Sequence, residues 1–191
     1  MPEILNNSSN VSVGKPRVAG AIYWAPKGTT LPTTATGALD AAFKCMGYVS
    51  EDGVVNNNSP ESDSIKAWGG DTVCVLQKER KDTFKYTLIE SMNEDVLTAI
   101  YGSDNVTVDG SGNITVKATA DEMEGASWVI DMIMKGSRAR RIVIPDGTIT
   151  ELGDITYKDD EPIGYPLTIT DVTDANGVYH YEYISGATVT L

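Results

Sequence analysis

The sequence predicts a mainly β fold of the α+β class: a β-sandwich or partly open barrel with one flanking α-helix. Three observations carry that expectation. The 191 residues include 18 Gly and many Val, Ile, Thr and Tyr, the balance of a β protein. Short apolar-polar alternations are separated by turn dipeptides such as Asp52-Gly53 and Asn176-Gly177. A single segment, NEDVLTAIYG (93–102), carries complete helix signals at both ends.

Residues 1–16 (MPEILNNSSNVSVGKP) hold an Asn/Ser cluster and too few apolar groups for a core, so they read as an extended arm. Residues 17–191 read as one β domain. RVAGAIYWA (17–25) is a first strand, and PKGTTLPTTATG (26–37) is a loop set by Gly, Pro and Thr. ALDAAFKCMG (38–47) places Leu39, Ala42, Phe43 and Met46 at helical spacing, with Gly47 where a C-terminal cap belongs, and predicts a short helix. Residues 48–64 begin as a strand, turn at Asp-Gly and continue without apolar period. The expectation is a long loop over 50–70, mobile in an isolated chain.

IKAWGGDTVCVLQKE (65–79) then becomes a strand, and FKYTLIE (84–90) another, with the intervening Arg80-Lys81-Asp82 predicted as a hairpin connection. In 93–102, Asn93 is the expected N-cap. Glu94 and Asp95 sit at the positive end of the dipole, Val96, Leu97, Ile100 and Tyr101 form the apolar face, and Gly102 ends the helix. NVTVDGSGNITVKA (105–118) is a hairpin, and 127–136 and 138–147 are two tightly joined strands. Residues 149–165 form an acidic connection, and 165–185 a hairpin closed by Asn176-Gly177.

The formal net charge is −12 and is carried by the second half. Residues 1–92 hold ten acids against nine Lys and Arg, and 93–191 hold seventeen against six. That excess argues against tight nucleic-acid binding, which works by Lys and Arg displacing counterions from phosphates. Cys45 and Cys74 lie in apolar contexts outside any C-x-x-C or His cluster, and read as buried reduced thiols. The N-terminal residues lack the basic and apolar regions of a secretion signal, and no apolar run reaches the roughly 18 residues of a membrane span.

Catalytic and metal patterns are absent at sequence level. The one histidine, His180, alternates with Tyr179, Tyr181 and Tyr183 and reads as a strand-face residue. There is no G-x-S-x-G and no Gly-Lys-Ser/Thr after Gly69-Gly70, and DGSGN (109–113) lacks the later ligands of a calcium loop. Acid pairs abound, but with 27 acids such pairs carry no information about a glycosidase cleft. The expectation is therefore a non-enzyme without cofactor or metal. One basic cluster stands out, Lys135, Arg138, Arg140 and Arg141, as a candidate surface for ordered self-association.

The run Gly14-Lys15-Pro16, AIYWAPKGTTLPT, GYVSEDGV, IKAWGGD and FKYTLIE, followed by NEDVLTAIYG, resembles the major tail protein, or tail tube protein, of long-tailed siphophages. RIVIPDGTITELGDITYKDDEPIGYPLTIT resembles the C-terminal half of the same family. The resemblance implies a tail-tube-like β domain whose subunits form hexameric rings, stacked into a channel through which phage DNA passes without specific binding. It implies tape measure, tail terminator and distal tail proteins as partners, no membrane, assembly in the bacterial host cytoplasm and a place in the virion tail. A long hairpin loop would touch the neighbouring ring. On that reading Ile65, Lys66, Trp68, Gly69 and Gly70, together with Lys135, Arg138, Arg140 and Arg141, are subunit contacts. Glu79, Glu90 and Asp131 are candidate lumen-facing acids. The alternatives are the inner tube of a contractile phage tail or tail-derived bacteriocin and, from another class, a carbohydrate-binding or adhesive β-sandwich presenting Tyr179, Tyr181 and Tyr183.

Overall fold

The computed structural model describes residues 6–188, so 1–5 of the expected arm and 189–191 of the expected domain lie outside the described residues. Among the described residues there are eleven strands: β1 (Lys15–Pro16), β2 (Ile22–Pro26), β3 (Lys44–Cys45), β4 (Val55–Lys66), β5 (Thr72–Leu88), β6 (Val106–Val108), β7 (Ile114–Val116), β8 (Ala126–Met134), β9 (Arg138–Leu152), β10 (Tyr165–Asp171) and β11 (Tyr181–Thr188). One helix, α1 (Glu94–Tyr101), follows β5. Nine strands form a single antiparallel sheet in the order β3-β2-β8-β9-β10-β5-β4, with β1 added to β8 and β11 to β9. The sheet is not closed into a barrel. β6 and β7 pair separately beside α1.

The centre of the sheet is β9, which is long enough to serve two partners on one edge. Its first half, Arg138 to Val143, pairs with β11, and its second half, Gly147 to Leu152, pairs with β10. Pro145 lies between, where a residue without an N–H interrupts no ladder. Gly147 is required by packing: a Cβ there would lie 2.7 Å from Ile169 Cγ2 and 3.1 Å from Trp128 Cδ1. Trp128 uses that space, is buried, and donates its indole N–H to the Gly147 carbonyl at 3.0 Å.

Both faces of the central sheet are covered. One carries the larger core, in which Trp128, Ile130, Ile144, Leu167 and Ile169 meet Val96, Leu97 and Ile100 of α1. The other carries Ala25, Val129 and Val143 beneath Phe43, Leu31 and Leu39. Burial on both faces explains why β8 is apolar without strict alternation. The helix forms as its signals predict: the Asn93 side chain accepts the Asp95 N–H, four apolar residues are buried, and Gly102 at φ 90° ends it.

Five expectations are corrected. Residues 38–47 form no helix. Lys44 and Cys45 pair with Trp24 and Tyr23, sending Phe43 into one apolar cluster and Met46 into the other. Residues 55–66 are a strand rather than a loop, because main-chain pairing to β5 supplies the order that their polar side chains do not. Arg80-Lys81-Asp82 is no turn: β5 runs straight through it, and the hairpin turn lies at Trp68–Asp71. Asn176-Gly177 does close a turn, but β10 and β11 pair with successive halves of β9 instead of with each other. The two cysteines are free thiols but not buried: Cys74 is exposed because the ribbon strand β5 has no layer packed on it there, and Cys45 is half-buried.

Candidate functional site

β4 and β5 project from the sheet as a two-stranded ribbon. From Thr83 to Leu88, β5 is held on one edge by β10, and on the other by β4 as far as Lys85 and then by the Tyr48–Ser50 segment. From Thr72 to Asp82 its partner is β4 alone. Ten residue steps at about 3.4 Å each carry the ribbon roughly 34 Å beyond the sheet. The tip is a tight turn, in which Ala67 N–H donates to Asp71 O at 2.8 Å and Gly70 N–H to Ala67 O at 3.0 Å. Gly69 and Gly70 stand at φ 115° and 98°, values that favour glycine. Trp68 between them and the strand is fully exposed, so it does not fill its own core. Ile65, Val73, Val75 and Leu76 are exposed along both ribbon faces. Lys66 flanks the tip, and Glu79 is exposed midway, directly across from Glu61.

The other residues singled out in the sequence are placed as follows. Lys135 sits at the β8–β9 turn, where its backbone N–H donates to Ser12 Oγ at 2.7 Å. Arg138 donates to Ser185 O at 2.7 Å and Arg140 to Glu182 Oε2 at 2.5 Å. Arg141 points inward. It is 1% exposed and grips Asp131, itself 4% exposed, through Nε at 2.6 Å and Nη2 at 2.7 Å. Glu90 ties the approach to α1, accepting the Tyr48 N–H at 3.0 Å and the Asn93 side-chain amide at 2.9 Å. Tyr181 and Tyr183 are stacked on each other and packed on the second apolar cluster, and the Tyr179 hydroxyl donates to Arg80 O at 2.6 Å. These rings do not make the exposed aromatic platform of a carbohydrate-binding face.

At the root of the ribbon lies a polar cluster that strand-by-strand reading missed. Asp82 is completely buried. Its Oδ1 accepts from Asn56 Nδ2 at 2.7 Å and its Oδ2 from Asn58 Nδ2 at 3.0 Å. The same Oδ2 lies 2.6 Å from His180 Nδ1. Asp171, 4% exposed, stands next to it with neither carboxylate oxygen hydrogen-bonded, and the buried Tyr86 hydroxyl also lacks a partner. Burial, reinforced by the Asp82 charge, pushes the Asp171 pKa up to about 8. Burial, then Asp171, pushes Tyr86 upward too. Strand register brings the two acids together: β10 and β5 pair as far as Thr170 opposite Thr83, so the next step sets Asp171 against Asp82.

A wide antiparallel sheet with both faces covered and a long unsupported ribbon defines a mainly β protein whose most conspicuous feature is a protrusion rather than a cleft. The chain matches the family model described as phage tail tube protein over residues 6–190, and it belongs to that family. It is a structural subunit of a phage tail tube, and its place is the virion tail. A comparison with curated proteins returned no match. Among the described residues, no helix is long and apolar enough to cross a membrane.

Proposed function

We propose that the chain is the tube subunit of a long non-contractile tail, closing into hexameric rings that stack into a DNA-conducting channel, with the β4–β5 ribbon reaching onto a neighbouring subunit. The observation that carries this reading is the ribbon itself. An isolated two-stranded ribbon is marginal in water, and this one leaves Ile65, Val73, Val75, Leu76 and Trp68 exposed. A second subunit would bury them, with Trp68 as a rigid aromatic anchor of the kind that dominates interface energies. Lys66, Gly69 and Gly70 at the tip, and Lys135, Arg138 and Arg140 at the β8–β9 end, extend the same contact.

The net charge of −12 suits a conduit. Each inward acid recurs in every subunit of a ring, so phosphates are repelled and the genome slides. Of the three acids singled out, Glu79 is the one fully available to such a wall; Glu90 and Asp131 are engaged within the chain. Tape measure, terminator and distal tail proteins would start and stop the polymer. The chain acts without catalysis on this reading, and the inner tube of a contractile tail would share every one of these features and need a sheath-binding exterior besides.

Electron microscopy of the purified protein over a concentration series tests the reading. Hollow tubes or six-fold rings are expected. Rings of another symmetry would overturn the hexamer, and a chain that stays monomeric even with its initiating tail proteins would overturn self-assembly.

A further inference from the structure

We infer that Asp82, Asp171 and His180 form a binding site for a divalent transition-metal cation, of the zinc or manganese class, at the root of the ribbon. The ligand atoms of the three side chains lie within 4.8 Å of one another. Around a bound cation at about 2.1 Å from each ligand, donor atoms stand roughly 3.4 Å apart in a tetrahedral set. Small side-chain rotations close the difference.

The second and independent observation is the Asp171 carboxylate. It is 4% exposed, both oxygens lack a hydrogen-bond partner, and it faces a second buried carboxylate. Buried carboxylates are ordinarily paired, hydrogen-bonded or coordinated to metal. His180, the member of the cluster that can carry positive charge, is already held at 2.6 Å from Asp82. A cation between the three neutralises both carboxylates at once.

The surroundings are those of a supported site. Asn56 and Asn58 fix the two Asp82 oxygens. His180 turns Nδ1 to the cluster, while Nε2 lies 3.8 Å from Glu182 Oε1, within electrostatic reach but beyond a hydrogen bond. The edge of Phe84 meets the imidazole at a ring separation of 5.3 Å and limits its rotation. One imidazole with two carboxylates suits borderline cations better than calcium or magnesium, which take all-oxygen shells. The ligands come from β5, the end of β10 and the segment entering β11, so a bound cation would join the ribbon root to the body.

The test is made on the full-length chain after chelator treatment and dialysis, titrated calorimetrically with Zn2+ and separately with Mn2+. Co2+ absorbance reports the coordination. One cation per chain is expected. Asp171→Asn and His180→Gln should each weaken binding more than about tenfold, while Asp63→Asn on the exposed ribbon should leave it unchanged. The thermal midpoint of the parent chain should rise with Zn2+, and that of Asp171→Asn should not. Absence of binding by the folded chain, or binding that both variants retain, overturns the site. These readouts concern binding and unfolding alone, so they stand apart from whether tubes form.

Discussion

Arg141 and Asp131 face each other directly across β8 and β9, and their side chains meet in two parallel hydrogen bonds of 2.6 and 2.7 Å inside the second apolar layer. The remaining Arg141 nitrogen donates to the carbonyls of Gly37 at 2.7 Å and Thr34 at 3.2 Å, pinning the 26–37 loop over the sheet. Arg17 approaches the same carboxylate at 3.4 Å from the solvent side. Two residues that a sequence reading assigns to opposite surface roles thus neutralise each other in the interior. Removing one partner strands a buried charge, which costs about 3–5 kcal/mol. Arg141→Met should lower stability to chemical denaturation by that order. The double variant Arg141→Met/Asp131→Leu should recover much of the loss, because no charge is left uncompensated. Equal losses in single and double variants would show that the loop carbonyls, not the charge, set the cost.

Trp68 separates assembly from folding. Its side chain touches no core, so Trp68→Ala should leave the unfolding midpoint within about 0.5 kcal/mol of the parent, as for other exposed sites. Tube formation should fail or move to much higher concentration, since truncating a central aromatic anchor commonly costs about 2 kcal/mol or more at each interface. Sedimentation and microscopy at matched concentrations read this out. Unimpaired tubes would remove Trp68 from the contact.

Gly147 offers a complementary test within the core. Gly147→Ala drives a methyl to 2.7 Å from Ile169 Cγ2 and against the Trp128 ring. Overpacking of this kind costs about 1–3 kcal/mol. A urea midpoint shifted down by that amount, with reduced near-ultraviolet ellipticity from a displaced Trp128, is expected; an unchanged midpoint would mean that β9 moves aside freely.

The helix at 94–101 was legible because cap, dipole charges and apolar face all agree within one short segment. The mainly β class was legible from composition and alternation. What stayed hidden depended on partners distant in sequence. The polar stretch 55–66 has no pattern of its own and is a strand because β5 lies beside it. Residues 38–47 carry helical spacing, yet pairing with Tyr23 and Trp24 and two separate apolar clusters override it. His180 alternates with tyrosines as a strand residue would, and nothing local announces that Asp82, 98 positions earlier, is its partner.

In the metal-free protein, Asp171 makes stability fall as pH rises. An unfolded Asp loses its proton near pH 4, whereas the native group keeps it to about pH 8. Between these values the native state binds the extra proton, so each pH unit upward removes at most about 1.4 kcal/mol. Below the window both states are protonated, and above it both are ionised, so the cost is then complete and constant. Asp82 and Tyr86 from β5 and His180 from the approach to β11 face this carboxyl group. The contribution is isolated by comparison with Asp171→Asn, measured with chelator present. The stability of the variant relative to the parent should grow from pH 5 to pH 8, and a difference independent of pH would show that Asp171 ionises normally.

Amide hydrogen exchange on the unassembled chain should divide β5 within itself. Thr83 to Leu88 are paired to β10 on one edge and to β4 or the Tyr48–Ser50 segment on the other, and their opening requires disruption of the sheet. Thr72 to Lys81 have β4 alone, with both faces in water. Local stability follows such differences in support. The outer segment should therefore exchange at least about a hundredfold faster than the inner one, corresponding to roughly 2.7 kcal/mol of lower opening free energy. On assembly, ribbon amides from 59–66 and 72–80 should become as protected as the sheet, because a neighbouring subunit would cover the exposed Ile65, Val73 and Val75 side chains. Protection in tubes that leaves the ribbon as fast as before would place the subunit contact on another surface, and full protection already in the isolated chain would mean that the ribbon is rigid without a neighbour.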